Sequence, residues 1–189
     1  HAVFTDVQIY LHSFGGLIMS GDKKEKNTAQ EIKEWIIVII IGIVLVFLIR
    51  NFGFRLTTVK GSSMEPNYIH GELVFTDILT YKVSDPQNND IVICEYDSGI
   101  DDELFIKRVI ACPGDEIDIH YSEEENCYRV NVNGNELDED YILEPMLSSG
   151  DWQYPLTLSN DEYFVMGDNR NISADSRDSY IGIFSKDEI

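Results

Sequence analysis

Residues 35–49 read Trp-Ile-Ile-Val-Ile-Ile-Ile-Gly-Ile-Val-Leu-Val-Phe-Leu-Ile, fifteen positions without a charge. As a helix this run measures about 22 Å; extended through residue 54 it measures about 30 Å, the thickness of a bilayer's hydrocarbon core. Such a helix is apolar all round and has no side to offer to water. Arg50 reaches an interface by snorkelling, and Trp35, Phe52 and Phe54 suit interfacial anchors. A buried core helix or strand competes with this reading, because Ile and Val also favour β structure. The preceding tail with Lys23, Lys24 and Lys26 favours the membrane. No small-x-small site follows the run, which argues against a cleaved signal peptide. Four lysines before the run (Lys23, Lys24, Lys26, Lys33) against Arg50, Arg55 and Lys60 after it put the N-terminus in the cytoplasm.

The rest of the 189 residues divides around this helix. Residues 1–30 read as an N-terminal tail, 31–55 as a membrane-anchoring helix and 56–189 as an extracytoplasmic domain. Residues 1–60 hold 7 Lys/Arg against 5 Asp/Glu, whereas residues 61–189 hold 7 against 29, a net of −22. No basic patch is available to displace counterions, so nucleic acid is excluded as a partner. Solubility is the plain reading of that acidity. Cys94, Cys112 and Cys127 form neither a disulfide framework nor a zinc spacing, and read as small, partly buried hydrophobes.

From Thr57 onward the pattern is β. Residues 72–75, 90–94 and 104–106 are short apolar strands, and residues 116–121 alternate with period two. Residues 128–132 lead into Asn133-Gly134, the signature of a type I′ hairpin, and residues 163–166 form another strand. No second long helix and no repeat is visible. The expected fold is mainly β: one N-terminal transmembrane helix followed by an antiparallel β-sheet domain.

The chemistry-bearing residues fall in three stretches. Gly61-Ser62-Ser63-Met64-Glu65-Pro66 places a hydroxyl in a turn that Gly61 and Pro66 constrain. It reads equally as an ordinary polar loop. A serine nucleophile needs a base. None of His1, His12, His70 and His120 makes a Ser/His/Asp arrangement. Lys107 interrupts the apolar run 104–111. Buried there, it would lose its proton readily and serve as a base. Spacing alone favours the opposite, with Lys107 outward and Ile106 inward. The third stretch, residues 167–177, packs Asp168, Arg170, Asp175 and Arg177 with Ser173 into eleven positions, either a hydrogen-bonded loop or an exposed turn.

Taken together, Ser63-Met64-Glu65-Pro66, then Ile106-Lys107-Arg108-Val109 leading into Pro113-Gly114-Asp115, then Gly167-Asp168-Asn169-Arg170 with Ser173, Asp175 and Arg177 resemble the successive boxes of bacterial type I signal peptidases. The resemblance covers residues 31–189 and looks most like the Gram-positive members. It implies a signal-peptidase-type catalytic domain with a Ser–Lys dyad, Ser63 as nucleophile and Lys107 as general base. It places the Ser63 N–H in the oxyanion hole, Ser173 beside the lysine amine to orient it, and Met64 in substrate binding. Asp168, Arg170, Asp175 and Arg177 are implied as supports. Implied partners are secretory preproteins delivered by the export machinery, cut after a small-x-small motif at the bilayer, with no metal or cofactor.

Some positions depart from the family pattern. Gly61 stands where some members carry a serine that completes the oxyanion hole. Ala111-Cys112 replaces a Gly-Leu pair and Asn67 a common threonine, neither expected to affect the chemistry. The chain stops at Ile189, where members run on, so a truncated C-terminal strand is expected. The competing readings are a self-cleaving Ser–Lys protease, a specialised signal peptidase for one cargo or for pilins, and an inactive membrane-anchored β module that binds partners.

Overall fold

The computed structural model describes residues 28–52, 54–99 and 102–189, the side chains of 48–52 and 102 excepted. Of the tail assigned to residues 1–30, residues 1–27, with His1 and His12, lie outside the described residues, and residues 28–30 already belong to a helix. The chain divides into two compact units, His1–Leu48 and Ile49–Ile189.

Helix α1 spans Thr28–Phe52. Its large apolar side chains from Ile32 to Phe47 are each 49–69% exposed, on every side of the helix. Among the described residues no helix is long and apolar enough to cross a membrane. The uncharged side chains that are described, from Trp35 to Phe47, cover only about 20 Å of helix. The helix also stops before the expected boundary at residue 55. Phe54 and Arg55 already belong to strand β1 (Phe54–Thr58), which pairs antiparallel with β2 (Leu73–Asp77), Phe54 opposite Asp77 and Thr58 opposite Leu73. The period-two alternation of Phe54, Leu56 and Thr58 decides this, since cross-strand pairing rewards it. Phe54, Leu56, Leu73 and Phe75 share one face of the ribbon and are all exposed.

The remaining strands form two four-stranded antiparallel sheets. The first runs β10 (Phe184–Ser185), β9 (Glu162–Met166), β4 (Asp102–Ala111), β3 (Ile91–Asp97). The second runs β7 (Asn135–Glu136), β6 (Cys127–Val132), β5 (Glu116–Ser122), β8 (Leu156–Thr157). At the tip of the β6–β7 hairpin Asn133 and Gly134 both adopt positive φ, 52° and 75°, the backbone of a type I′ turn. One short helix, α2 (Thr80–Val83), joins β2 to β3.

Strand β4 lies between β9 and β3, and both of its faces are covered. Ile110, Phe164 and Met166 pack with Ile117, Ile119, Val130 and Val132 of the second sheet. Val109, Tyr163 and Val165 pack on the opposite side with Val92, Cys94 and Phe184. A register shift between Val109 and Ala111 lets consecutive residues bury. This two-sided burial explains the consecutive apolar residues 109–111, whereas Leu104 at the start of the run is 50% exposed. All three cysteines are free thiols; Cys94 and Cys127 are buried and Cys112 half-buried.

Replacing Phe164, which is wholly buried between the sheets, with alanine is expected to cost about 3–5 kcal/mol. The half-exposed Leu104 of the same sheet, replaced likewise, should change stability by only about 0.5 kcal/mol. Urea unfolding of the intact chain in detergent reads both values, and equal losses would contradict the layer assignment.

Candidate active site

The 61–67 segment leaves β1 as a compact turn. Gly61 turns with φ +84°, where a side chain would be strained, and its N–H donates to His70 Nδ1 at 3.1 Å. The Ser62 carbonyl accepts from the Glu65 N–H (3.2 Å), and the Met64 carbonyl from the N–H groups of Asn67 (3.0 Å) and Tyr68 (2.9 Å). The Met64 side chain is buried and anchors the turn from beneath. The turn is also tied to the 167–171 loop. The Asn169 N–H donates to the Ser63 carbonyl (2.9 Å), and Asn169 Nδ2 to the Ser62 carbonyl (3.2 Å). Among the described residues the Ser63 N–H has no acceptor.

Spacing favours an outward Lys107; the structure buries it to 3% exposure. It stands opposite Val92 of β3 and shares its face with Val109, so the covered face of the sheet receives it. Its Nζ donates to Ser63 Oγ at 3.0 Å and to the Ile106 carbonyl at 3.2 Å, 5.0 Å from the Phe105 ring centroid. Burial lowers the Lys107 pKa below its ordinary 10.5, and Arg177 adds to the drop. Asp175 pulls it upward, as does a Cys94 thiolate. Burial pushes the Cys94 thiol itself up to about 12, so at neutral pH no thiolate is present to hold the ammonium. Asp175 is already engaged, because its two oxygens accept from Arg177 Nε (2.8 Å), Arg177 Nη2 (2.9 Å) and the Gly167 N–H (2.9 Å). Asp175, itself paired with Arg177, offsets only part of the desolvation, and the net shift of Lys107 is downward.

Ser173 lies at the edge of this centre, its Oγ donating to the Ala174 carbonyl at 3.5 Å. It meets the 61–67 turn at Gly167, where a Cβ would collide with both Ser173 Oγ and the Ser63 carbonyl. Asp168, fully buried, takes a bidentate pair from Arg108 (Nε 2.8 Å, Nη2 2.7 Å) and a third bond from Asn67 Nδ2 (2.8 Å). Arg170 Nε donates to the Gly167 carbonyl (3.1 Å) and its Nη2 to Glu139 (2.5 Å). Arg177 Nη2 donates to the Arg170 carbonyl (2.6 Å). The 167–177 stretch is thus the hydrogen-bonded loop rather than the exposed turn.

Several residues here carry no sequence signal of their own. Arg108 and Asn169 sit inside the motifs, yet spacing gives them no role. Asn67, a departure without expected consequence, bridges Asp168 and the Tyr141 carbonyl (2.8 Å to each). Glu139 is one of three acids in a row, and nothing in the row marks it as the buried one. The Tyr141 ring lies 4.0 Å beneath the Arg108 guanidinium. Burial first, then Glu139, raises the Tyr141 pKa, so its phenol stays a donor to Glu139 (3.2 Å).

Residues 32–189 match the family described as signal peptidase, peptidase S26. A signal peptidase I P of Bacillus subtilis subsp. natto is 34% identical over 174 residues, 88% of this chain and 89% of the relative. A signal peptidase IB of Staphylococcus aureus (strain COL) is 30% identical over 175 residues, 85% of this chain and 86% of the relative. A crystal structure of a signal peptidase I from Enterococcus faecalis superposes with a TM-score of 0.43 at 26% identity, covering 56% of this chain and 94% of that one.

A lysine whose folded pKa lies below its unfolded one costs stability while it is protonated in the unfolded chain. Between the lowered folded value and about 10.5 the unfolded state binds more protons, so this group's contribution to stability improves as pH rises. Lys107→Met should therefore raise Tm at neutral pH, by an amount that shrinks as pH approaches 10. Thermal melts of both proteins from pH 7 to 10 measure this, and a gap that widens with pH would contradict a desolvated amine.

Proposed function

We propose a mechanism and a setting for this chain, which belongs to the signal peptidase family, peptidase S26, and whose activity is the removal of signal peptides by a serine peptidase. The observation that carries the mechanism is the 3.0 Å hydrogen bond from Lys107 Nζ to Ser63 Oγ, made by an amine whose pKa burial lowers.

Ser63 Oγ attacks the carbonyl carbon before the cleavage site while neutral Lys107 takes the hydroxyl proton. The oxyanion takes a hydrogen bond from the Ser63 N–H. Gly61 has no side chain to add a second donor, and its own N–H is engaged by His70. Collapse of the intermediate breaks the peptide C–N bond, and Lys107 passes its proton to the leaving amine. Water then attacks the ester carbonyl, Lys107 accepts its proton, and Ser63 Oγ leaves and is reprotonated. Ser173, Asp168, Arg170, Asp175 and Arg177 support this geometry without reacting, and Met64 forms the floor beneath the substrate. The preprotein lies extended, adding to an exposed strand edge of the site, and is cut after a small-x-small motif.

The setting is the bilayer surface. Helix α1 anchors the chain as a single pass with its N-terminus cytoplasmic, and the export machinery delivers the substrate from the same membrane. The uncharged run 35–49 supports this reading, as does the exposed apolar face of Phe54, Leu56, Leu73 and Phe75 next to it in sequence.

Cleavage of a model preprotein in detergent micelles, with N-terminal sequencing of the product, tests the assignment. Wild type should release a product that begins after the small-x-small motif. Ser63→Ala and Lys107→Ala should each lose at least about 10³-fold in turnover while still melting cooperatively. Wild-type kcat/KM should rise with pH as the amine deprotonates and level off below 10.5. Unchanged turnover in Ser63→Ala, or a flat profile from neutral to alkaline pH, would overturn the dyad.

A further inference from the structure

The segment 139–143 touches all three parts of the site and contributes to none of its reacting groups. Toward the nucleophile turn, the Tyr141 carbonyl accepts from Asn67 Nδ2 at 2.8 Å. Toward the base strand, the Tyr141 ring carries the Arg108 guanidinium at 4.0 Å. Toward the 167–171 loop, the Leu143 N–H donates to the Asp168 carbonyl (3.2 Å), and Glu139 Oε1 accepts from Arg170 Nη2 (2.5 Å). Only the last tie is a fully buried ion pair, with side-chain exposures of 0% for Arg170 and 2% for Glu139.

That pair acts on the site by two routes. Arg170 Nε holds the Gly167 carbonyl at 3.1 Å. At Gly167 there is no room for a Cβ between Ser173 Oγ and the Ser63 carbonyl, so a shift there is transmitted to both serines. The Arg170 carbonyl in turn accepts from Arg177, the partner that keeps Asp175 from pairing with Lys107. Among the described residues Arg170 has no second carboxylate partner to fall back on. Its Nη1 is buried and without a partner among the described residues. A guanidinium in that position without Glu139 would be an uncompensated buried charge, which moves or draws in water.

We propose that Glu139 is a positioning residue: paired with Arg170 under the Gly167 loop, it sets the placement of Ser63 and Ser173 against Lys107. This rests on the Ser63–Lys107 reading. Glu139 touches neither substrate nor reacting atoms and acts through Arg170. Its effect should therefore appear in the chemical step rather than in substrate binding.

The test uses the intact chain in micelles with a model preprotein, measuring kcat, KM and thermal unfolding. Glu139→Gln should lower kcat by roughly 10- to 100-fold, the cost of a small misplacement, with KM changed less than about 2-fold. Glu139→Asp keeps the charge on a shorter arm and should show a smaller loss of kcat. The double variant Glu139→Met with Arg170→Met removes both charges and should regain thermal stability, as apolar replacement of buried pairs often does. Its kcat should stay low, because nothing then holds the Gly167 carbonyl. A double variant that regains both stability and wild-type kcat would show a merely structural pair and overturn the proposal. So would wild-type kcat in Glu139→Gln, or failure of all three variants to fold. Ser63→Ala run in parallel separates the two readings. If it keeps turnover, the dyad itself is wrong. If it is dead while the Glu139 variants match wild type, only the positioning role falls.

Discussion

Lys107 is held in a strand covered on both faces, with its Nζ 3.0 Å from the Ser63 hydroxyl. An ammonium at that place would forfeit hydration, and the groups that might compensate it are occupied or neutral. Asp175 is clamped by Arg177 and the Gly167 N–H, and the Cys94 thiol keeps its proton. Desolvation therefore outweighs attraction, and the amine is driven toward its neutral, proton-accepting form. A histidine needs no such environment to titrate near neutral pH. A lysine base needs a dry, uncompensated site, and much of the tertiary structure around β4 provides it.

The loop 167–177 does the rest of the work through backbone atoms. Asn169 holds the Ser62 and Ser63 carbonyls, and Gly167 allows Ser173 and the turn to approach each other. The charges of the loop are spent on structure: Asp168 on Arg108, Asp175 on Arg177, Arg170 on Glu139. Each pair is buried on at least one side, so each must be complete, since removing one partner strands the other. This closes the site into a network whose members are separated by up to 107 residues, as between Ser62 and Asn169.

Under the proposed setting the two extremes of the composition also fit together. The apolar helix and the one-sided apolar ribbon of β1 and β2 belong at the bilayer. Apart from the buried Asp168, Asp175 and Glu139, most carboxylates of the acidic half are at least partly exposed, and their charge keeps that half soluble.

Much of this molecule was legible in its residues. The strand runs, the Asn133-Gly134 turn and the three motif stretches depend on local periodicity and local backbone preference, which a sequence displays directly. The orientation of Lys107 was not legible. Strict alternation puts Ile106 inward, and only the sheet order, with β4 between two neighbours and covered on both sides, reverses the meaning of that pattern. Helix α1 ends sooner than its hydropathy implies, because the partner that draws Phe54 into β1 lies some twenty residues away in β2. Glu139 was invisible among Asp138 and Asp140, since nothing local distinguishes the acid that will face a buried arginine. Sequence alone thus determined most of the strands and the three stretches from which the candidate site is built. The environments that lower the Lys107 pKa and make Glu139 a buried counter-charge were decided by the tertiary structure, because desolvation and long-range pairing exist only once distant segments have packed.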